Sequence, residues 1–462
     1  MKTNLLSIFL LFISMNLFSQ TRADKWFFGT TAFVDFTSGS PVVGMGPLST
    51  SEGTSSVSTP TGSLMFYTNG VSVWDNTNTI MPNGNGLMGD VSSTQCLIVP
   101  SPASGSLYYI FTVAPDGGAN GFRYSIVDMT LNGGLGDVTA SKNVYITDST
   151  TEKIAAILDD AGTGYWIIMH KWGNNMFYSY HLTAAGLAPP VASIIGTIHN
   201  TSAIQNTYGQ MKFNMCGSKL AVAVGYQDFV EVFDFNQVTG DITNPLTIPM
   251  DGHVYGVEFS KSSDLLYISC YDVTCKLAQF DISLATTPLI LASKTPLSVT
   301  DDLYALQIGP DGKIYVARSF TSSYLGVINA PNTPGSGCNY VDNGVDLDPT
   351  FSGVNGALGL PSFSQDFVKV NVICPPGTGI VEDKNELLIS IFPNPSTNEF
   401  NLDLSKTIQP TQICIYSSTG QLIQSFSNIN SNVQFGKNYD QGIYLVKCIS
   451  QNKTYNQIVI KQ

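Results

Sequence analysis

One hairpin pattern, repeated six times, constrains this chain more than any other feature. Each copy is a short apolar strand, a turn of Gly, Ser or Asp, and a second strand rich in Tyr, Ile and Val. Residues 54–57 pass through 61–62 into 64–67, and 95–99 pass through 104–105 into 107–112. The same order links 154–158 to 165–169, 211–214 to 220–224, 254–259 to 265–269, and 303–308 to 314–317. Such turns between β-branched and aromatic runs are hairpin chemistry. They fall near 62, 105, 163, 217, 263 and 312, a spacing of 43 to 58 residues. A blade of four antiparallel strands takes about 40–50 residues, so this WD40-like period predicts a β-propeller. Third strands follow at 71–74, 122–127, 177–181, 229–235 and 277–282.

Two pieces are left over. Residues 26–29 and 33–36 read as outer strands lacking an inner one, and 358–363 reads as an inner strand lacking outer ones. Joined, they complete a seventh blade and remove the unpaired edges of an open sheet. The expectation is an all-β protein: a seven-bladed β-propeller over 20–373, a linker at 374–386 that begins Cys374-Pro375-Pro376-Gly377, and a small Ig-like β-sandwich over 387–462.

The first residues read as a signal peptide, with Lys2, an apolar run over 5–13 and a cut after Ser19. No stretch reaches the about 18 apolar residues of a membrane span. The net charge is −13, and Arg22, Arg123 and Arg318 are the only arginines. Nucleic acid needs a basic footprint, so it is set aside as a partner. The sandwich carries +1, so the acidity belongs to the propeller region, at about −15 by difference. Export makes disulfides possible among eight cysteines. Cys338 with Cys374 and Cys270 with Cys275 are the pairs to check, while Cys96 and Cys216 read as buried thiols.

No catalytic motif stands out, neither a GxSxG elbow nor HExxH. His170, His181, His199 and His253 have no metal-ligand spacing and read as packing or surface residues. Asp159-Asp160, Asp301-Asp302 and Asp346 with Asp348 are oxygen donors of the type Ca²⁺ takes. Without EF-hand spacing they read as solvated loops, and neither a metal nor another cofactor is expected. Tyr165-Trp166, Trp172 and Tyr178 are candidates for stacking on sugars, against a simpler role in the core. Glu52 is the candidate channel ligand, because it leads into an inner strand and inner strands line a propeller's axis. The simpler reading is a turn carboxylate.

The end of the chain carries Phe392-Pro393-Asn394-Pro395-Ser396, then Ile415-Tyr416 with Gly420, then Gly442-Ile443-Tyr444-Leu445-Val446 and finally Ile458-Val459-Ile460-Lys461. In this order they resemble the type A C-terminal sorting domain of type IX secretion substrates of Bacteroidetes. The resemblance implies delivery through the periplasm to the outer-membrane surface or beyond by that secretion machinery. Pro393 and Pro395 suit a strand start, and Gly420 and Gly442 suit turns with positive φ. Trp26-Phe27-Phe28-Gly29, Ser51-Glu52-Gly53, the run from Leu64 to Val71, Trp74, Met81-Pro82-Asn83-Gly84 and Gly359-Leu360-Pro361-Ser362-Phe363 resemble large propeller proteins of the same bacteria. That resemblance implies a fold and a location, with no established activity. The expected function is a surface or secreted binding, adhesion or structural module for a glycan or protein rather than an enzyme. The alternative is an extracellular polysaccharide lyase or glycosidase on the same scaffold.

Overall fold

The recurring hairpins become antiparallel sheets. The computed structural model describes residues 22–271, 276–298, 302–350, 353–368, 390–403, 412–417, 421–427, 429, 433–450 and 453–462. The expected signal peptide and linker, Cys275, Cys374, Asp301 and Gly420 lie outside the described residues. The chain divides into two units, residues 1–376 and 377–462.

In the first unit, seven sheets follow one another in chain order among the described residues. Six contain the hairpins read from the sequence. Their first strands are Ser55–Ser58, Cys96–Pro100, Thr150–Leu158, Met211–Phe213, Val254–Phe259 and Leu306–Ile308. Each pairs antiparallel with the next strand in sequence. Positive φ at Gly62, Gly217 and Gly312 lets the tight turns close. An earlier sheet of three strands, Lys25–Phe28, Thr30–Asp35 and Val42–Ser49, precedes them.

The first strands are neighbours in order, from Lys25–Phe28 against Ser55–Ser58 on to Val254–Phe259 against Leu306–Ile308. Tyr315 of the last sheet then meets Trp26 and Phe36 of the first edge-on, at 5.4 and 5.3 Å. The series closes on itself as a β-propeller. An inner strand has sheets on both sides, so Val254–Phe259 and its partner Leu265–Cys270 are buried at every residue. The outer strand Ile242–Pro249 is exposed at five of eight positions, as an edge facing water must be.

Residues 358–363 do not supply the expected inner strand. They follow Thr54 instead: Pro361 bridges Thr54 in parallel, and the Ser362 and Leu358 amides donate to the Thr54 and Ser51 carbonyls. Pro361 has no N–H to give, which prevents a continuous ladder. The junction is tight at Gly29, where a Cβ would sit 2.2 Å from the Asn355 oxygen.

The second unit has two sheets around one apolar core that includes Phe400, Leu402, Ile413, Ile415, Val446 and Val459. Tyr444 and Val446 are buried while Ile443 and Leu445 are exposed, the alternation of a strand with one wet face. The peptide bonds before Pro393 and Pro395 are cis. Gly442 differs from expectation: its φ is not positive, and it begins the strand Gly442–Ser450. Lys461 reaches back to the Asn398 carbonyl, and the Ile460 amide donates to the Asn394 side-chain oxygen at 2.9 Å. The Tyr444 hydroxyl donates to the Asp440 carbonyl at 2.9 Å.

The cysteines also depart from expectation. Cys270 and Cys338 are buried and belong to no disulfide, so neither expected pair forms, whereas Cys216 is disulfide-bonded. Cys96 is a buried thiol as read. Export and position in the chain made the other two bridge candidates, although a bridge requires Cβ atoms about 3.5–4.5 Å apart.

Candidate functional site

Seven inner strands running the same way put their first residues on one face of the ring. Glu52 stands three residues ahead of Ser55–Ser58, and Thr94 two ahead of Cys96–Pro100. Glu152 is the third residue of Thr150–Leu158, Tyr208 precedes Met211–Phe213, Tyr255 is second in Val254–Phe259, and Tyr304 precedes Leu306–Ile308. Distant sequence positions therefore meet at the leading end of the axis.

Two motifs from opposite ends of the unit build the seat of Glu52. A Cβ on Gly359 would sit 2.0 Å from the Glu52 carbonyl oxygen, and one on Gly53 would sit 2.6 Å from the Ser93 oxygen. Only glycine permits three backbones to come this close. Glu52 is thereby almost wholly buried, at 7% exposure, and its Oε2 accepts a 2.8 Å hydrogen bond from the Tyr255 hydroxyl across the ring.

Glu152 lies beside it, completely buried. It accepts from the Thr94 amide and hydroxyl at 2.9 and 3.0 Å, from the Asp116 amide at 2.8 Å and from the Thr207 hydroxyl at 3.3 Å. The Tyr208 hydroxyl donates to Asp116 Oδ1 at 2.9 Å. Burial lifts both glutamates above their ordinary range, and Glu52, pressed further by the charge of Glu152, is pushed up to about 8. Of the two, Glu152 has the donors that favour a carboxylate, so Glu52 is the neutral acid at pH 7.

An aromatic path leads outward from this acid. Tyr304 packs on Tyr255 at 5.4 Å, Tyr271 stacks on Tyr304 at 5.4 Å, His253 lies 5.7 Å from Tyr271, and Tyr226 stacks on His253 at 3.7 Å. Tyr226 is 41% exposed, while Tyr304, Tyr271 and His253 are half-buried. The bond of His253 Nδ1 to Asp228 Oδ1, at 2.7 Å, holds the imidazole in place. These groups define the candidate site, called the recess below: ring faces that lead from exposed Tyr226 to the buried Tyr255 hydroxyl and Glu52.

The axis beneath is blocked. Gln95 joins the third sheet to the fifth, accepting from the Met211 amide at 2.9 Å, and Gln210 accepts from the Leu306 amide at 2.9 Å. Lys212 bonds Gln307 and lies 3.7 Å from Glu258. Bonds between non-adjacent sheets cross the middle of the ring, so the expected channel is a plugged shaft and Glu52 marks its stopper. Next to Glu152, Lys153 is also wholly buried; burial pulls its ammonium down to about 7 while its Nζ donates to the Thr207 carbonyl at 2.7 Å.

The other residues singled out in the sequence do not join the recess. His170 and His199 stack at 3.6 Å inside the protein with no hydrogen-bond partner, and burial holds both imidazoles below their ordinary range, His170 at about 3. His181 bonds Asp159 and stacks on Trp166. Tyr165 and Trp166 are buried, Trp172 fills the space over Gly117, and Tyr178 packs edge-on against Tyr180. Asp302 pairs with Lys276, and Asp346 accepts from Tyr324 and from the Asp348 amide. Among the described residues, no three His, Cys, Asp or Glu side chains converge as a metal site.

Sequence reading found Glu52 but not Thr94, Asp116, Glu152, Tyr208, Tyr255 or Tyr304. Their shared position at the start of successive inner strands was the available signal.

The second unit has a recognised counterpart. Residues 390–462 match the family of secretion system C-terminal sorting domains. The chain is therefore handled by type IX secretion and exported to the cell surface or the extracellular space. Among the described residues no helix is long and apolar enough to cross a membrane. No curated protein matches the chain. Solved structures similar to it include a Bacteroides fragilis protein described as a 6-phosphogluconolactonase, with 12% identity, a TM-score of 0.48 and coverage of 74% of this chain and 98% of that one. Another is the periplasmic gluconolactonase PpgL of Pseudomonas aeruginosa, with 13% identity, a TM-score of 0.36, and 86% and 97% coverage. A third is the β-propeller domain of Myceliophteria thermophila Cps50 (Swd1), with 11% identity, a TM-score of 0.34, and 78% and 96% coverage.

Proposed function

We propose that this exported propeller is a recognition module that binds neutral glycans at the recess beside Glu52. The observation that carries the reading is the path of rings from exposed Tyr226 to buried Glu52. Aromatic faces pack on the C–H faces of sugar rings, and the Tyr304, Tyr208 and Glu52 groups supply hydroxyl partners. A protonated Glu52 leaves the floor uncharged, which suits a neutral ligand. No arginine is among the recess residues to take an anion. We also read the seven sheets as seven blades and residues 1–19 as a cleaved signal peptide from a member of the Bacteroidetes.

Calorimetry of the mature protein with xylo-, malto- and cello-oligosaccharides tests the reading. Tyr226→Ala and Tyr304→Ala are each expected to weaken binding about tenfold, roughly 1.4 kcal/mol, with unchanged circular dichroism. The reading fails if no neutral oligosaccharide binds, or if both variants bind as the wild type does.

The buried Glu52, whose carboxyl is pushed up to about 8 beside a second glutamate, favours a second reading, acid-assisted cleavage of a glycan with Glu52 as the proton donor. The two readings part at Glu52→Gln. It leaves a binding module intact and abolishes turnover by an enzyme, measured as release of reducing ends.

A further inference from the structure

We propose a second, separate site for a single neutral sugar unit on the flank of the ring, between the first and second sheets. A cleft of about 540 Å³ opens there, lined by Lys25, Phe27, Phe33, Ser63, Asn76 and Asn78 among others. That volume lies within the range of about 300–1,000 Å³ usual for small-molecule sites. It belongs to a different part of the molecule from the recess and shares no residue with it.

The floor of the cleft is aromatic and preformed. Phe27 lies flat on Tyr67, with centroids 3.8 Å apart and planes 2° from parallel, and Tyr67 continues onto Trp74 at 5.5 Å and 5°. Phe33 leans on Phe27 at 4.7 Å. Phe27 faces Phe33 across one strand pair, and Phe33 faces Gly44 across the next. A Cβ at Gly44 would lie 2.9 Å from the Phe33 ring, and one at Gly46 would lie 2.8 Å from the Phe27 ring. The two glycines let both rings lie down against the strand, and any larger residue would displace them.

The rim is polar but offers no unmatched charge. Lys25 is paired with Asp35 and its side chain is only 16% exposed. The Tyr67 hydroxyl donates to Asn78 Oδ1 at 2.9 Å, which fixes that amide and leaves its NH₂ free to donate outward. Among the described residues the Asn76 amide and the Ser63 hydroxyl have no hydrogen-bond partner within the protein. A phosphate or carboxylate ligand would lack a counter-charge here. A pyranose fits: its C–H face meets the partly exposed Phe33 ring, which buried Phe27 backs, and its hydroxyls meet Asn76, Asn78 and Ser63.

Saturation-transfer NMR and calorimetry on the full mature chain test this, with methyl β-glucoside, methyl β-galactoside and methyl α-mannoside as probes. Asn76→Trp plugs the cleft from an exposed position without touching the core and is expected to abolish binding of whichever glycoside binds. Asn78→Ala removes one oriented hydrogen bond and is expected to weaken binding about three- to tenfold. Each is read in the Tyr226→Ala background, which removes the contribution of the recess and should leave binding at the cleft in place. The proposal is overturned if no methyl glycoside binds, or if Asn76→Trp binds as the wild type does. Loss in Tyr226→Ala alone also overturns it, while leaving the recess reading in place.

Discussion

The interiors of the two units are built on opposite plans. Along the propeller axis Glu152, Lys153 and Glu258 are 0% exposed and Lys212 is 5% exposed, all inside the fold. In the sorting domain the only buried charge among the described residues is Lys461, at 7% exposure and bonded to a carbonyl. Burying a charge costs several kcal/mol unless hydrogen bonds replace water. Part of that cost falls on the propeller axis, where the polar groups also tie non-adjacent sheets together. The sorting domain needs only an apolar core and a tied C-terminal strand. The comparison teaches where to look: the region whose interior is expensive is the region holding a site.

That contrast can be broken or sharpened by experiment. The largest effect is expected at Glu152→Ala, which strips the Thr94 and Asp116 amides of their acceptor. Urea unfolding should show the propeller destabilised by about 3–5 kcal/mol. A loss below about 1 kcal/mol would mean that the polar interior is incidental. Next comes Ile415→Ala in the sorting domain, expected to cost about 3 kcal/mol through a plain cavity. Calorimetry should show only the smaller unit's transition moving; a matching shift in the propeller would contradict two independent cores.

A third effect, at Glu52→Gln, depends on pH. The native carboxyl titrates near 8 and the unfolded one near 4.5. The proton-linked stability is therefore complete below about pH 4.5 and is lost as pH rises through 8. Glutamine cannot titrate, so wild-type stability relative to Glu52→Gln should fall by about 4 kcal/mol between pH 5 and pH 8.5. A constant difference across that range would place the proton elsewhere.

Much of the architecture was legible because it is written in local chemistry. Gly62, Gly217 and Gly312 mark hairpins whatever surrounds them, and the six pairs formed where the turns stand. The sorting domain was legible from Phe392-Pro393-Asn394-Pro395 and the alternation around Tyr444. The closure of the ring was read less well. The segment after Leu358 looked like an inner strand because it is apolar, but Pro361 and the glycine packed on Glu52 make it a cover instead. The cysteines misled for a related reason, since spacing along the chain says little about which Cβ atoms meet.

The site shows the same division more sharply. Glu52 could be singled out because it sits between Ser51 and Gly53 ahead of a strand. Nothing near Glu152 in the sequence announces it, yet Thr150, Thr151, Glu152 and Lys153 are all buried. By itself the sequence determined the repeat, the hairpins, the acidic charge and the export domain, because these depend on residues close together in the chain. Only the tertiary structure decided that Glu52, Glu152 and Tyr255, up to 203 residues apart, share one buried hydrogen-bonded cluster. Ring closure sets those distances, and the loss of water at the axis lifts both carboxyls above their ordinary range, Glu52 to about 8.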